Sequence, residues 1–168
     1  MQKNNKQKKE NKKTFWTYFV PIFVGITILT SIFFVTYNLI TEKYFKTYED
    51  YEKYEIKYSN KILTKTNDNY YVFIYKNNCS GCSSVKRYIF QYIDKYNENP
   101  TETHPKMYIM NISEHLDLGS NSENLINISD YKQLGVKYTP TLILVQSNTV
   151  KTATNNADGV YNTIKTAL

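Results

Sequence analysis

The sequence predicts an α/β fold, a mixed sheet flanked by helices, that is preceded by one N-terminal transmembrane helix. Three observations support this: an uncharged stretch near the N-terminus, alternating strand and helix patterns after it, and two cysteines at the end of the first strand. The 168 residues leave about one domain of ordinary size beyond the N-terminal part. We divide the chain into a basic tail, a transmembrane helix, an amphipathic helix and an α/β domain, at 1–14, 15–41, 42–66 and 67–168.

Most of the formal charge of +6 lies in the basic tail. Residues 1–13 contain six lysines and a single acid, Glu10, so they carry +5 and leave +1 for the remaining chain. A nucleic-acid-binding protein needs a basic stripe on its folded part. Because the folded part is almost neutral, we expect no nucleic-acid partner.

Residues 15–41 contain no charged side chain and are long enough to span a bilayer, which takes about 20 apolar residues. Trp16 and Tyr18 at one end and Tyr37 at the other occupy the positions of an aromatic belt. A cleaved signal peptide would have a shorter apolar run and a small-residue cleavage site, so we favour a signal-anchor that has the lipid bilayer as its partner. The lysines before the span predict a cytoplasmic N-terminus and an extracytoplasmic C-terminal domain.

The segment 42–66 predicts an amphipathic helix beside the membrane. Its apolar positions recur at spacings of three and four, as on one helical face, and they are Tyr44, Tyr48, Tyr51, Tyr54, Tyr58 and Ile62. This face either binds a partner or a second copy of the chain, or it packs on the domain that follows. We favour packing on the same domain, because amphipathic helices usually bury their apolar face within their own chain. The sequence leaves the oligomeric state open.

The first half of the α/β domain reads as strand, helix and strand. A turn rich in Asn and Asp at 67–69 comes before the strand 70–76, which is strongly apolar. The helix 83–96 has apolar residues at helical spacing, and the second strand is 107–112.

The second half begins with the polar, irregular segment 114–128. A short helix follows, which Ser129 or Asp130 can cap and which Gly135 ends. A strand, a second strand paired with it across Ser147-Asn148 and a final helix complete the domain, at 141–146, 149–154 and about 158–168.

The most informative motif is Cys79-Ser80-Gly81-Cys82, which holds the only two cysteines and follows the first strand. The N-terminus of a helix carries unpaired N–H donors and a partial positive charge, which stabilise a thiolate. The thiolate is the attacking species in thiol–disulfide exchange. A disulfide within so short a loop constrains little of the unfolded chain, so the pair is a poor structural staple. The motif therefore favours a reactive pair.

A zinc site is an alternative for the two cysteines. Structural zinc needs four protein ligands, and only His104 and His115 can join the pair. Their spacing lacks the close histidine pair of such sites. We therefore expect no metal, and we expect both histidines in exposed loops.

A second motif, Thr139-Pro140-Thr141, leads into an apolar strand within the stretch 135–145. A strand, a CxxC motif, a helix and a later Thr-Pro-Thr before a strand together resemble the thioredoxin superfamily. Within it the chain is similar to small membrane-anchored thioredoxin-like proteins of Gram-positive bacteria, some of which are called bacteriocin-transport accessory proteins. The resemblance covers about residues 67–168 and implies a thioredoxin-like mixed sheet, with 42–66 in the place of the first helix.

The resemblance implies a role for each residue of the CxxC motif. Cys79 is the exposed nucleophile that forms the mixed disulfide, and Cys82, which is more buried, is the resolving thiol. Ser80 and Gly81 set the redox poise of the pair, and Gly81 also permits close backbone approach. No cofactor is implied beyond the redox-active disulfide Cys79–Cys82.

The resemblance also implies that the Thr139–Pro140 peptide bond is cis and faces the cysteines. A cis bond before proline is uncommon in folded proteins. Thr139 then keeps a backbone edge with which an extended substrate segment can pair. The alternative is an ordinary trans proline that opens an edge strand.

The sequence departs from the cytosolic thioredoxin pattern at three places. Asn78 stands where an aromatic residue usually precedes the first cysteine, and the dipeptide is Ser-Gly rather than Gly-Pro. Phe73 takes the place of the buried acid that accepts the proton of the resolving thiol. Without that acid, deprotonation of Cys82 and release of a mixed disulfide should be slower. The direction of electron flow stays open, and the location outside the cytosol favours oxidation or isomerisation.

Two functions are consistent with these features. The first is a membrane-tethered extracytoplasmic thiol–disulfide oxidoreductase that acts on exported cysteine-containing proteins and exchanges electrons with them or with a membrane redox partner. The second is an accessory protein of a secretion or conjugation system that has a thioredoxin fold and no essential redox activity. Such a protein would use the tyrosine face of 42–66 or the polar segment 114–128 for binding.

Overall fold

The structure is a computed structural model, and it describes residues 3–44, 46–65, 68–114, 118 and 124–168. The chain divides into two compact units between Lys46 and Thr47. The first unit contains one long helix, and the second contains the sheet, both cysteines and the remaining helices.

The first unit is the helix α1, Lys3–Tyr44. Its stretch Trp16–Ile40 has a mean hydropathy of 2.3 and is long and apolar enough to cross a membrane. Its 25 residues span about 37 Å as a helix, which exceeds a hydrocarbon core of about 30 Å. The hydroxyl groups of Thr27 and Ser31 donate to backbone carbonyls of the same helix, which satisfies them without water.

The second unit is built on a four-stranded mixed sheet with the strand order β2-β1-β3-β4. Strand β1 pairs in parallel with β2 and antiparallel with β3, and β3 pairs antiparallel with β4. The strands and helices are β1 (Asn69–Tyr75), α2 (Ser80–Tyr96), β2 (Lys106–Asn111), β3 (Thr141–Gln146), β4 (Thr149–Thr154) and α3 (Ala157–Lys165). The predicted fold class, a mixed sheet flanked by helices and preceded by an apolar helix, is confirmed.

The sheet has two faces with different covers. Helices α2 and α3 pack on one face, which we call the helix-covered face; its buried residues include Phe73, Tyr75, Cys79, Cys82, Ile89, Phe90, Leu142 and Val160. Irregular segments cover the other, loop-covered face; its buried residues include Ile56, Ile62, Leu63, Tyr70, Val72, Ile74, Leu134, Ile143 and Val150. Consecutive strand residues alternate between the two faces because side chains on a strand point to opposite sides.

The segment 42–66 is not one helix, so that prediction is wrong. After α1 ends, the chain forms a 3₁₀ helix, Glu49–Tyr54, an extended residue and a second 3₁₀ turn, Ser59–Lys61. Glu55 bridges to Ile109 at the edge of β2, where the Ile56 N–H donates to the Ile109 carbonyl at 2.8 Å. This long-range pairing along a sheet edge replaces the intrahelical bonds that a continuous helix would have made.

Two tyrosines of this segment, Tyr51 and Tyr54, are three residues apart and pack on the second unit. Tyr51 and Tyr54 are buried, as a helix with three residues per turn requires. Their hydroxyls donate to side chains of α2 and its end, Tyr51 to Asp94 at 2.9 Å and Tyr54 to Glu98 at 2.6 Å. Tyr58 is exposed, so the single stripe predicted for the segment does not exist.

The remaining elements agree with the sequence analysis within a few residues. Helix α2 begins at Ser80 rather than 83 because Cys79 itself caps it. The hairpin turn Ser147-Asn148 has φ values of 47° and 61°, as a tight two-residue turn between strands requires. Asp130 caps a short 3₁₀ helix, Tyr131–Gln133, but Gly135 has no left-handed φ, so its predicted role as a helix-ending glycine is wrong. Most of 114–128, including His115, lies outside the described residues.

Candidate active site

The cysteine motif lies where β1 turns into α2. The chain leaves the strand at Tyr75 and turns at Asn78, whose φ of 57° is left-handed. After glycine, asparagine is among the residues that adopt this conformation most readily. This preference explains why a polar residue stands where an aromatic one was expected. Cys79 then caps α2: its Sγ accepts a hydrogen bond from the Cys82 N–H at 3.0 Å. The local turn therefore presents a sulfur atom to the free N–H groups of a helix.

Cys79 and Cys82 form a disulfide with a Cα–Cα distance of 5.2 Å. Cys79 is 8% exposed and Cys82 is 2% exposed. Cys79 is the more exposed residue, in the predicted order, but it is more covered than its position at the start of the helix suggests. A loop from another part of the chain lies against it, which no pattern near the motif reveals.

That loop contains the Thr139–Pro140 peptide bond, which is cis as predicted. Because β3 runs antiparallel to β1, its first residue Thr141 pairs with Ile74 near the end of β1. The residues just before β3 are thereby brought to the cysteines. The Thr139 hydroxyl is 3.5 Å from the Cys79 Sγ and its carbonyl oxygen is 3.6 Å from the same atom.

Gly81 contacts the same loop. A Cβ atom at this position would lie 3.0 Å from the Cδ of Pro140 and 3.7 Å from the Cβ of Ala157. The first distance is tighter than almost all real Cβ contacts, so a side chain here would push the loop away. The prediction that Gly81 permits close backbone approach is confirmed. Ser80, the other residue of the dipeptide, is exposed.

Below the disulfide the site is apolar. Phe73 has no exposed surface and belongs to the same buried cluster as both cysteines. This position therefore contributes an aromatic ring and no carboxylate.

A polar cavity opens at the same edge of the sheet, on the other side of β1 from the Thr139 loop. Its volume is about 210 Å³, and it is lined by Tyr48, Glu49, Glu52, Glu55, Tyr75, Asn77 and Asn111. Glu49 and Glu52 are three residues apart in the 3₁₀ helix, which places them on one face, and Glu55 follows as the extended residue after the helix ends. A hydrogen bond from Lys57 lowers the pKa of Glu52. Sequence reasoning missed this group, although the spacing of three was its visible signal.

His104, the histidine that the structure describes, packs beside Tyr96 rather than with the cysteines. His104 stacks on Tyr96 at 4.3 Å between ring centroids, and its Nδ1 lies 3.0 Å from the Thr103 hydroxyl. It is half-buried, so its predicted place in an exposed loop is only partly right. Over residues 3–44, 46–65, 68–114, 118 and 124–168, no group of three or more His, Cys, Asp or Glu side chains is arranged to hold a metal ion.

Comparison with known proteins identifies similar solved structures only. No family model matches the sequence, and no curated protein matches it. Mitochondrial thioredoxin 3 of Saccharomyces cerevisiae in its oxidised form shares 15% identity, over 67% of this chain and 92% of that chain, with a TM-score of 0.47. Thioredoxin of Plasmodium falciparum shares 10% identity, over 68% and 98%, with a TM-score of 0.48. A thioredoxin of Malassezia sympodialis shares 13% identity, over 67% and 84%, with a TM-score of 0.46.

Proposed function

We propose that this chain is a membrane-tethered thiol–disulfide oxidoreductase that acts outside the cytoplasmic membrane on exported cysteine-containing polypeptides. One observation carries the proposal. The Cys79 sulfur caps a helix, accepts the Cys82 N–H at 3.0 Å and lies 3.5 Å from the Thr139 hydroxyl. Two hydrogen-bond donors thus converge on one sulfur atom, the less buried of the two cysteines of the second unit.

These donors select Cys79 as the reactive sulfur. When the pair is reduced, an N–H group and a hydroxyl aimed at a thiolate form charge-assisted hydrogen bonds, and the helix N-terminus adds a favourable field. Cys82 is 2% exposed among apolar side chains, where the uncharged thiol is favoured. The first turn of α2 therefore separates a nucleophile from a resolving thiol.

Oxidation of a substrate would proceed in two exchanges. A substrate thiolate attacks the Cys79 sulfur, the Cys79–Cys82 bond breaks, and its electron pair leaves on Cys82, which takes a proton from solvent. A second substrate thiolate attacks the substrate sulfur of the mixed disulfide and expels Cys79 as a thiolate. The substrate loses two electrons and releases two protons to solvent; the cysteine pair gains both electrons, Cys82 takes up one proton from solvent, and Cys79 remains a thiolate. Reduction is the reverse, and a membrane redox partner would reset the pair in either direction.

The apolar side chains buried with the cysteines, Phe73 among them, favour a long-lived mixed disulfide. In the reductive direction, Cys82 must lose its proton before it can attack the bond between Cys79 and the substrate. Phe73 offers no proton acceptor below it. Slow release gives an enzyme time to hold a polypeptide while its cysteines rearrange, which suits oxidation or isomerisation.

The membrane location rests on α1. Its apolar stretch Trp16–Ile40 can span a bilayer, and the lysines before it favour the cytoplasmic side. Disulfides persist outside the cytosol, where a two-cysteine chain can cycle between oxidised and reduced forms. The orientation can be tested by fusing alkaline phosphatase, which is active only outside, to the C-terminus. An active fusion agrees with the proposed side, and an inactive but stable fusion contradicts it.

The reaction can be tested by trapping partners with full-length Cys82→Ser expressed in its host. We expect mixed disulfides through Cys79 that a reductant releases and that mass spectrometry identifies as exported proteins. The matched control is Cys79→Ser with Cys82→Ser, which has the same resolving-site change and should form no adduct. If the single variant forms no adducts and the double variant fully complements a deletion strain, the chain is a non-redox accessory protein instead.

A further inference from the structure

We infer that Tyr138 is a substrate-binding residue that selects polypeptides with an apolar side chain next to the reacting cysteine. The inference rests on the proposed thiol–disulfide exchange at Cys79 and specifies which substrates that site prefers.

Tyr138 is the sequence neighbour of the residue that contacts the Cys79 sulfur, and it has no part in the exchange reaction itself. It directly precedes Thr139, whose carbonyl oxygen is 3.6 Å from the Cys79 Sγ. Adjacent Cα atoms are about 3.8 Å apart, which is also the spacing between a substrate cysteine and its neighbour. We therefore pair Tyr138 with the residue that flanks a substrate cysteine bonded to Cys79.

The ring is exposed in a unit whose other aromatic side chains, except Tyr58, are buried or half-buried. Tyr138 is 53% exposed, whereas Tyr51, Tyr54 and Tyr70 are buried. The large hydrophobic side chains of the second unit that are exposed, among those the structure describes, are Tyr58, Ile126, Tyr138 and Leu168. Tyr138 is the one that adjoins the Thr139 loop in sequence. About half of an aromatic surface of roughly 200 Å² is thus available to a partner at the site.

The backbone that carries the ring is held in place. The Thr141 hydroxyl donates to the Tyr138 carbonyl at 2.7 Å, and the buried Pro140 packs against Gly81. A side chain on a fixed backbone loses little conformational freedom on binding, and tyrosine has few rotatable bonds. Tyr138 is therefore a preorganised contact for a passing polypeptide.

The positive charge near the Tyr138 ring further limits which flanking residues the site can accept. Lys137 lies with its Nζ 5.3 Å from the ring centroid, so a positive charge already occupies the vicinity of one face. A basic flanking residue would be repelled there, and an apolar one can bury surface against the ring. Apolar residues are mostly buried in folded proteins and become accessible only where a polypeptide is unfolded, whereas small thiols have no flanking residue at all. The preferred substrate class is an extended, incompletely folded polypeptide.

The test compares two dithiol peptides that differ only in Leu or Ser beside the reacting cysteine, with dithiothreitol as a small dithiol. The oxidised full chain in nanodiscs reacts with each, and the second-order rate constants are measured by stopped flow. We expect Tyr138→Ser to slow the Leu peptide about fivefold and to leave the Ser peptide and dithiothreitol within about twofold. Tyr138→Phe should keep the preference for Leu.

Ile126→Ser is the matched control. Ile126 is 46% exposed, and its neighbour Asn127 bonds to Val150, which is level with Val145 on β3. That point is about 13 Å along the strand from Thr141, so the control removes an exposed apolar side chain away from the site. The same Leu-to-Ser rate ratio in wild type and Tyr138→Ser overturns the inference. If wild type reacts with none of the three dithiols, the proposed function itself fails.

Discussion

The two faces of the sheet differ in composition and in what they contribute. The helix-covered face is rich in aromatic side chains and includes both cysteines, with Phe73 beneath them. The loop-covered face is largely aliphatic and is closed by irregular segments around Ile62 and Leu134. The helix-covered face alone presents a helix N-terminus at the edge of the sheet where β1 ends. The loop-covered face therefore contributes to the stability of the fold alone, whereas the helix-covered face contributes to stability and also holds the cysteine pair.

The largest expected effects come from truncating isoleucine on each face. Ile89 and Ile143 both have no exposed surface, one in α2 and the other on the loop-covered face. Each change to Ala should lower the free energy of unfolding by about 2–5 kcal/mol, because a buried cavity is left. Denaturation can be followed by the near-ultraviolet circular dichroism of the tyrosines, since the single Trp16 lies in α1.

The two variants should differ in reactivity. Ile89→Ala loosens the helix that carries both cysteines, so it should change the rate of exchange with dithiothreitol by more than about twofold. Ile143→Ala should leave that rate unchanged under native conditions. Equal rate changes in both variants would show that the two faces contribute equally to the reactivity of the cysteine pair.

Alkaline pH should weaken both faces through buried phenols. Burial raises the pKa of Tyr70 on the loop-covered face to about 12, and it also raises the pKa of Tyr92 on the helix-covered face. An unfolded tyrosine ionises near pH 10, so the stabilisation is complete below that pH and is lost as the pH rises from 10 through the folded-state pKa. We expect the denaturation midpoint to be constant from pH 7 to 9 and to fall above about pH 10.

Tyr70→Phe removes one phenol and should reduce this alkaline loss without abolishing it, because Tyr92 remains. A midpoint that is the same at pH 8 and pH 11 in wild type would contradict the assignment of buried neutral phenols.

The next largest expected effect is on the reactivity of the Cys79 sulfur. Thr139→Val keeps the shape of the side chain but removes the hydroxyl 3.5 Å from the Cys79 Sγ. A hydrogen bond to a charged group typically contributes about 1.5 kcal/mol, so its loss should lower the thiolate fraction of reduced Cys79 at pH 7 roughly tenfold. Because a more basic thiolate is also a better nucleophile, alkylation should slow by less, roughly three- to fivefold. Thr139→Ser retains the hydroxyl and should retain the rate. A Val variant as reactive as wild type would mean that the helix N-terminus suffices.

The smallest expected effect tests the segment that packs beside α2. Tyr51→Phe loses the hydrogen bond to Asp94 and should lower the free energy of unfolding by about 1 kcal/mol. Tyr58→Phe is the control, because Tyr58 is exposed and the same atom is removed. If the control loses as much stability, the packing of Tyr51 is not the cause.

Much of the site could be predicted because its signals are local or belong to a motif. The apolar run before Cys79 is β1, the cysteine pair starts α2, and residues 141–146 form β3. Strand and helix periodicity and turn residues act over a few neighbours, so they are legible in the chain. The cis bond at Pro140 followed from resemblance to a known pattern rather than from periodicity.

The predictions that were wrong or incomplete concern residues whose structure depends on contacts far apart in the sequence. The segment 42–66 has helical spacing, yet Ile56 pairs with Ile109, more than fifty residues away, and the chain becomes extended there. Cys79 is more covered than its position suggests, because Thr139 lies against it from sixty residues away. Neither contact leaves a signal near the residue that it changes.

The sequence by itself determined the apolar helix, the order of strands and helices, and the position of two thiols at the start of a helix. These depend on charge, periodicity and short spacing, which act between neighbours along the chain. Only the tertiary structure decided which atoms surround the Cys79 sulfur and how far it is covered. The antiparallel pairing of β3 with β1 brings distant residues to one edge of the sheet, and the free energy of such contacts depends on the whole fold.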